Sequence, residues 1–542
     1  MITKTFTLTK DKDRIGARTF RDHGKAPLAP GGLRLRADPG ARLVAGGSVL
    51  VGGSPVRVLR LTPSGARQVA AWFSGVPVGE GVAARALARR LLDAGIAHPD
   101  WGDCAGADGS PGLGDVTVVV PVRDRHAELA RCLAGLRDVP TVIVVDDCSA
   151  DPAAIAAICA EQGARVVHRP VNGGPGAARN TGLAAAPTGL VAFLDSDCVP
   201  AAGWLERLLP HFGDPAVGAV APRIVPHQEG TTWLGRYEGA SSTLDMGGRP
   251  SIVRPGARVS YVPGAALVVR KAAAGAGFAE GMYVGEDVDF VWRMSAAGWR
   301  VRYEPAAVMG HDHRVRFRAW FSRRREYGTS AAALERLHPG AVRPLYASWW
   351  TVGAWAAALS GRPVTAAALT GTATALLARR LSRVTGERWL LPGATPVSSP
   401  APVSSPPAAP SPPAAPSPPA DNSKTRGSAA WGLAARLAGG GTVAAARPLG
   451  SALSRTWWPL AVPAAVAVPR LRLPVAALIL APPLLDWADR RPPLDPARYV
   501  AARLLDDAAY SVGVWQGCLR RRTVRPLLPV IGARPSGLGC ER

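Results

Sequence analysis

Acidic residues in this chain fall where a parallel α/β layer would deliver them to one edge. A first apolar run, Val116–Val120, passes through Pro121 to Asp124; a second, Thr141–Val145, ends in Asp146-Asp147; a later one, Leu190–Leu194, ends in Asp195-Ser196-Asp197. Open α/β sheets bind their ligands beyond the carboxyl ends of the strands. Carboxylates from three strand ends repel one another unless a cation or hydrogen-bond donors sit among them. A hard divalent ion, Mg²⁺ or Mn²⁺, held by aspartate and by diphosphate oxygens meets that need. A single Asp-x-Asp is usually a turn or a cap; three such strand ends make a much stronger pattern.

Three more segments add to it. Asn172-Gly173-Gly174-Pro175-Gly176-Ala177-Ala178-Arg179 lies between the second and the last of these strands. Its Gly174-x-Gly176 pair is similar to a dinucleotide fingerprint, but it does not follow the first strand of the layer, which disfavours a dehydrogenase. The glycines allow close approach of backbone to a ligand, and Arg179, expected to open the next helix, is placed to pair with phosphate, or else is a solvated arginine after a turn. Gly285-Glu286-Asp287 begins a helix with Phe290, Val291 and Met294 on its apolar side; its acids either cap that helix or work in the site. Gly310-His311-Asp312-His313 ends another strand. A His-x-His pair can chelate a metal, but zinc is disfavoured for want of a third nitrogen or sulfur ligand.

The elements that position these residues alternate. Leu129, Cys132, Leu133 and Leu136 recur at helical spacing, Asp151-Pro152 opens a helix carrying Ile155, Ile158 and Cys159, and Arg165–His168 is a further strand. Runs of Val, Ile and Leu without alternation predict strands covered on both faces, hence a largely parallel, Rossmann-like sheet flanked by helices over residues 115–340. Ahead of it, a polar tail (1–32) leads into short strands and two helices, Thr62-Pro63 to about Phe73 and Val82 to Asp93, which read as a small winged-helix-like module over 33–98. Residues 99–114 read as a linker. Residues 341–392 and 429–542 read as apolar or amphipathic helical regions around a Pro/Ala/Ser-rich, disordered insertion at 393–428. None of the apolar stretches makes an uninterrupted span of ~20 residues. Trp349, Trp350, Trp457, Trp458 and Trp487 near their ends favour interfacial or re-entrant helices, with a packed helical domain as the alternative. A last helix, about Arg498–Arg522, runs from Asp506-Asp507 to Arg520-Arg521-Arg522, an order that suits the helix dipole and leaves a basic end for anionic lipid.

A chain of 542 residues predicts two to four domains. Its net charge of +24 is either a general preference for Arg or an attraction for phosphate-bearing partners such as nucleic acid, anionic lipid or a nucleotide-sugar. Because the charge is spread along the chain, a nucleic-acid-binding protein is the least favoured class. Seven cysteines without a C-x-x-C pair fit a reducing compartment, and the polar N-terminus lacks the apolar core of a secretory signal. The expectation is a cytoplasmic protein, associated with the inner face of the membrane.

Together the ordered motifs V-x-V-V-V-P-V-R-D, V-V-D-D-C-S, N-G-G-P-G-A-A-R-N-T-G, L-D-S-D, P-G-A-A-L-V-V-R and G-E-D-V-D-F-x-W-R resemble the family 2 glycosyltransferases of GT-A fold. The resemblance implies a metal-dependent, nucleotide-sugar-using enzyme. Asp124 and Asp147, supported by Asp146, would hold the uridine; Pro121, Gly174, Arg179, Asp195 and Ser196 complete the nucleotide-sugar site. Asp197, with Asp195 and His311, would hold the metal, and Asp287, aided by Glu286, would be the catalytic base. The Q-x-x-R-W motif of processive members is missing; Arg323-Arg324-Arg325-Glu326-Tyr327 stands there instead. A narrower likeness, carried by V-G-G-S-P-x-R-x-L-R-L-T-P-S-G-A, by Y-G-T-S-A-A and by the apolar tail, is to the mycofactocin-system glycosyltransferases. That resemblance implies transfer of glucose from UDP-glucose, with inversion, onto a peptide-derived redox cofactor as β-linked oligoglucose, and a front module similar to peptide-recognition domains. A polyprenyl-phosphate or cell-envelope acceptor is the alternative.

Overall fold

A computed structural model describes residues 27–44, 47–101, 110–228, 230–385, 435, 441–442 and 445–532. Most of the polar tail, half of the expected linker and the whole Pro/Ala/Ser tract lie outside the described residues.

A nine-stranded sheet carries the middle of the chain. Its order is Cys198–Pro200, Arg300–His311, Val217–Pro226, Ala266–Arg270, Leu190–Leu194, Val116–Val122, Val142–Asp146 and Arg165–His168, with Ser251–Val253 beside Arg300–His311. The half that begins the domain is parallel, as unalternating valine runs require. Val116–Val122 runs parallel to both Leu190–Leu194 and Val142–Asp146, and the latter parallel to Arg165–His168. The other half is mixed: Ala266–Arg270 is antiparallel to both neighbours, and Val217–Pro226 is parallel to Arg300–His311. Both faces are covered. Val116, Val118 and Val120 pack with Leu129, Cys132 and Leu133 on one side, while Val119, Ile143 and Val145 pack with Ala178, Phe290 and Met294 on the other.

Local chemistry sets the helix starts. The Asp151 side chain accepts from Ala154 N–H at 3.0 Å with Pro152 in the first turn, and Thr62 accepts from Gly65 N–H at 3.1 Å with Pro63 behind it. In the front module, helices Pro63–Phe73 and Val82–Ala94 pack with a three-stranded meander and a strand pair. That pair joins Arg34–Ala37 to Ala97–Asp100, so Pro99 and Asp100, read as linker, are strand residues opposite Leu35 and Arg34. The correction reflects a partner strand more than sixty residues away, which no local pattern reveals.

Two long helices close the other side. Phe317–Leu337 and Pro496–Arg520 cross in backbone contact: a Cβ on Gly513 would lie 1.9 Å from the Arg325 carbonyl oxygen, and one on Gly328 2.1 Å from that of Tyr510. The second helix is capped by Asp495, which accepts from Arg498 N–H at 2.9 Å. Asp506 and Asp507 are therefore in mid-helix and buried, not at a dipole-facing end. Asp506 takes Arg324 (3.1 Å) and the Tyr237 hydroxyl (3.0 Å); Asp507 takes the Ser454 hydroxyl (2.6 Å). The cations waiting in the facing helices overrule the dipole reading.

The tail also departs from expectation. Helix continues from Pro469 to Arg490, through Pro482 and Pro483, and an 18-residue stretch of it has a mean hydropathy of 1.4, long and apolar enough by length and composition alone to cross a membrane. The sequence reading broke this stretch at its prolines and arginines. Residues 349–385 form two helices, Trp349–Leu359 and Pro363–Thr385.

Candidate active site

The carboxyl ends of the central strands open into a cavity of about 740 Å³. Pro121, Asp147, Gly174, Arg179, Asp195, Ser196, Asp197, Glu286, Asp287 and His311 all line it, so the structure brings together ten of the residues singled out from the sequence. Strand pairing explains the convergence. Val122 sits opposite Asp146 and Val119 opposite Phe193, which sends Asp147 and Asp195 to the same edge. Cys198 sits opposite His311, which sets Asp197 beside that imidazole.

Two of the expected donor-site acids face elsewhere. Asp124 adopts a left-handed φ of 56°, accepts from Ala150 N–H at 2.7 Å, and donates its own N–H to the Ser149 hydroxyl. Asp146 is buried, accepting from Ser149 N–H at 3.0 Å and lying 2.9 Å from His168 Nδ1; burial opposes its charge, but these bonds hold its carboxyl below the usual range. Both carboxylates shape the turn after Asp147 rather than line the cavity.

The acids that do line it are answered by donors already in the protein. Asp147 accepts from Arg169 Nε (2.9 Å), Gly173 N–H (3.0 Å) and Gly174 N–H (2.7 Å). Arg179 bonds Asp195 at 2.6 Å and Glu286 at 2.9 Å. It does not open its helix, as expected from the sequence. The glycine-rich stretch is itself the first turn, because Gly174 takes the φ of +79° that turns the chain and Pro175 suits a first-turn position, leaving Arg179 in the second turn of Gly174–Ala185. The Arg179 side chain is 3% exposed, and two carboxylates hold it in place at the cavity wall.

Glu286 and Asp287 differ although they are adjacent. Burial, then the charge of Asp287, raises the Glu286 carboxyl up to about 7 against the pull of Arg179. Asp287 is held by backbone: Oδ2 accepts from Gly264 N–H at 2.7 Å and Oδ1 from Val288 N–H at 2.8 Å. A Cβ at Gly264 would lie 3.0 Å from Asp287 Cβ and 3.2 Å from Arg179 Cζ, so a side chain there would crowd both.

Sequence reasoning missed much of the opposite wall. Arg125, Arg314, Arg323, Tyr261, Tyr327, Arg455 and Tyr510 also line the cavity. Arg323 lies over the Tyr327 ring at 4.9 Å and Arg455 over the Tyr510 ring at 4.4 Å. Burial, with Tyr510 and Asp287 nearby, pushes the Tyr261 phenol up to about 12. Tyr327 stands in the Y-G-T-S-A-A motif, which was the available signal; nothing in local spacing ties Tyr510 to Asp287.

For a metal, the fit is partial and specific. Among the described residues no group of three His, Cys, Asp or Glu is placed to hold an ion. His311 Nε2 lies 3.5 Å from Asp197 Oδ1, and Arg125 also bonds Asp197. Burial opposes the Asp197 charge, but His311 and Arg125 hold its carboxyl below the usual range. One carboxylate and one imidazole suit a hard ion that takes its remaining ligands from substrate phosphate and water, not a closed zinc cage. Asp195, also expected among the ligands, lines the same cavity and gives one oxygen to Arg179.

Residues 117–274 match the model of glycosyl transferase family 2. Over 519 residues the chain is 40% identical to the pre-mycofactocin glycosyltransferase of Mycobacterium tuberculosis, in strains CDC 1551 and H37Rv alike, spanning 93% of this chain and 99% of that protein. Among solved structures, a mannosyltransferase of Pyrobaculum calidifontis in complex with GDP-mannose and Mn²⁺ aligns at a TM-score of 0.33 and 22% identity, over 52% of this chain and 82% of that one. A likeness at that level bears on neither donor nor metal.

Proposed function

This chain belongs to the pre-mycofactocin glycosyltransferases, a group of family 2 enzymes of GT-A fold, and we propose that it moves glucose from UDP-glucose, with inversion, to a hydroxyl of a peptide-derived redox-cofactor precursor. β-Linked oligoglucose is the product of repeated transfer. The observation that supports this reading best is the Asp287 carboxylate, oriented by two backbone N–H groups at the cavity wall with Tyr261 nearby.

Asp287 takes the proton of the acceptor hydroxyl as that oxygen bonds to the anomeric carbon, and the bond from that carbon to the UDP oxygen breaks on the far side. Gly264 and Val288 fix the base, so little reorganisation accompanies proton transfer. Glu286, buried on Arg179 and raised to about 7 by burial and by the charge of Asp287, is partly protonated near neutral pH, which lessens the negative charge beside Asp287. On the leaving side, Asp197 and His311 would hold a divalent cation, Mg²⁺ or Mn²⁺, which when bound stabilises charge on the departing diphosphate. Arg314 and Arg323 add positive charge to the same cavity.

The test is Asp287→Asn. Loss of a general base typically costs about 10²–10⁴-fold in rate, so transfer should fall by that order while UDP binding by calorimetry stays within a factor of two. Near-normal turnover would remove the base assignment. Mass spectrometry of products formed from UDP-glucose, Mn²⁺ and the cofactor precursor reads the sugar and the number added.

A second reading uses a polyprenyl-phosphate acceptor, and the exposed apolar helices near the C-terminus favour it. Labelled glucose recovered in a lipid extract from membranes would support it; label confined to water-soluble product would exclude it. Under either reading the protein works at the cytoplasmic face of the membrane, in peripheral contact with anionic lipid.

A further inference from the structure

The cavity has two unlike sides. Every acid that lines it, from Asp147 to Asp287, precedes residue 288. From Val288 onward the lining brings arginines and tyrosines and, among the described residues, no acid. Arg455 and Tyr510 enter it from far outside residues 117–274, the stretch that matches the family. Most arginines of this later wall are spent on protein. Arg324 bonds Glu238 and Asp506, Arg343 meets Glu335 at 2.8 Å, and Arg323 meets Glu326 at 3.2 Å. Arg455 is held from one side. Its Nε lies 3.6 Å from Asp507, which is itself fixed by the Ser454 hydroxyl at 2.6 Å, and its guanidinium lies over the Tyr510 ring at 4.4 Å. Anchored and stacked in this way, it keeps its two terminal nitrogens without a carboxylate partner among the described residues.

Tyr261 joins this group to the base. It stands three positions before Gly264, whose N–H holds Asp287, and it lies within electrostatic reach of Tyr510, Arg455 and Asp287 together. Asp197 and His311, on the leaving-group side, are held instead by each other and by Arg125. An acceptor hydroxyl that gives its proton to Asp287 brings the rest of its molecule against the wall beside that carboxylate. A guanidinium and two phenols there offer donors, and the planar guanidinium fork suits paired oxygen acceptors. We propose that Arg455 and Tyr510, with Tyr261, form the acceptor subsite and grip the acceptor by carbonyl oxygens, which a peptide-derived molecule carries at its amide groups. This rests on the reading of Asp287 as the base and of the acceptor as peptide-derived. The C-terminal helices then choose the acceptor, while the α/β layer handles the sugar donor.

Steady-state kinetics with the cofactor precursor as the varied acceptor, and calorimetry with UDP, test it on the full chain. Arg455→Gln should raise the acceptor KM by about 10–100-fold, the loss expected of hydrogen bonds from a charged donor. Its kcat should hold, because the contact is the same before and during transfer. Tyr510→Phe keeps the ring under Arg455 and removes the hydroxyl, so it should raise the acceptor KM by about 3–10-fold. Arg455→Lys should recover part of the loss, a point charge replacing the planar fork. UDP should bind all three variants as it binds the wild type. An acceptor KM unaltered in both Arg455→Gln and Tyr510→Phe overturns the proposal. So does an equal loss of UDP affinity with the fold intact by circular dichroism, which would give this wall to the donor. A fall in kcat at constant KM overturns it too, by moving Arg455 from recognition to the chemical step. A wild type that binds UDP but transfers nothing to the precursor would instead remove the reading of the acceptor, and the inference with it.

Discussion

The front module and the C-terminal helices both flank the transferase layer, but they meet it differently. At the front the seam is polar and closed. Arg89 and Asp214 form a bidentate pair with side chains about 4% and 5% exposed, Arg300 reaches Asp93 at 2.8 Å, and Arg258 reaches Asp38 at 2.9 Å. None of these residues lines the cavity. At the back, Arg324 joins Glu238 and Asp506, and its own helix and that of Asp506 carry Tyr327 and Tyr510 into the cavity wall. Farther out, Trp349, Val364, Leu460, Val466 and Leu473 stand exposed. One flank braces the enzyme; the other builds part of its active site and presents apolar surface outward.

The sharpest way to break this contrast is to damage both junctions equally. Removing one partner of a buried ion pair typically costs about 3–5 kcal/mol, because the remaining charge is left uncompensated. Asp506→Ala should lower stability by that order and should also reduce transfer by the folded enzyme, since Arg324, Tyr510 and Arg455 lose their positions. Urea unfolding reads the first effect and the initial rate at low temperature the second. A destabilised variant with unchanged kcat and KM would mean that the back wall takes no part in catalysis.

Asp214→Ala is the matched experiment and the next largest effect. It strands Arg89, so the expected loss of stability is again about 3–5 kcal/mol. Transfer by the protein that remains folded should be unaltered. If kcat falls as it does for Asp506→Ala, the front module acts on the site and is more than a brace.

The same contrast separates what the sequence makes legible from what it hides. Asp147, Asp195, Asp197 and Asp287 could be found because each follows a strand or begins a helix whose own residues announce it. Thr62-Pro63 and Asp151-Pro152 marked their helices for the same reason: the capping chemistry is local. Asp506 and Asp507 misled, since a sequence shows that acids precede arginines along a helix but not that Arg324 faces them from another. Arg125 and Tyr510 were invisible as site residues for the same cause. Asp197 lies 72 positions from Arg125 and Tyr261 more than 200 from Tyr510, brought close only by strand order and by the glycines that let two helices touch. Arg179 was recognised, but its bonds to Asp195 and Glu286 were not legible, because those carboxylates come from other elements.

The smallest predicted effect concerns the outward face of the back flank. Residues 345–385 and 445–485 contain no Asp or Glu, while exposed Arg362, Arg470 and Arg472 lie among exposed apolar side chains. An acid-free surface of this kind is complementary to an anionic bilayer, where each arginine near the surface contributes about 1 kcal/mol. Replacing Arg470 and Arg472 by Gln should then weaken binding to phosphatidylserine-containing vesicles by roughly 30-fold, the equivalent of about 2 kcal/mol. Binding to neutral vesicles, which rests on apolar burial, should change little, and transfer to a soluble acceptor should not change at all. Equal losses on charged and neutral vesicles would point to a disturbed helix rather than to lost charge. No loss on either would place the membrane contact elsewhere, and would leave the exposed apolar helices to pack against protein instead.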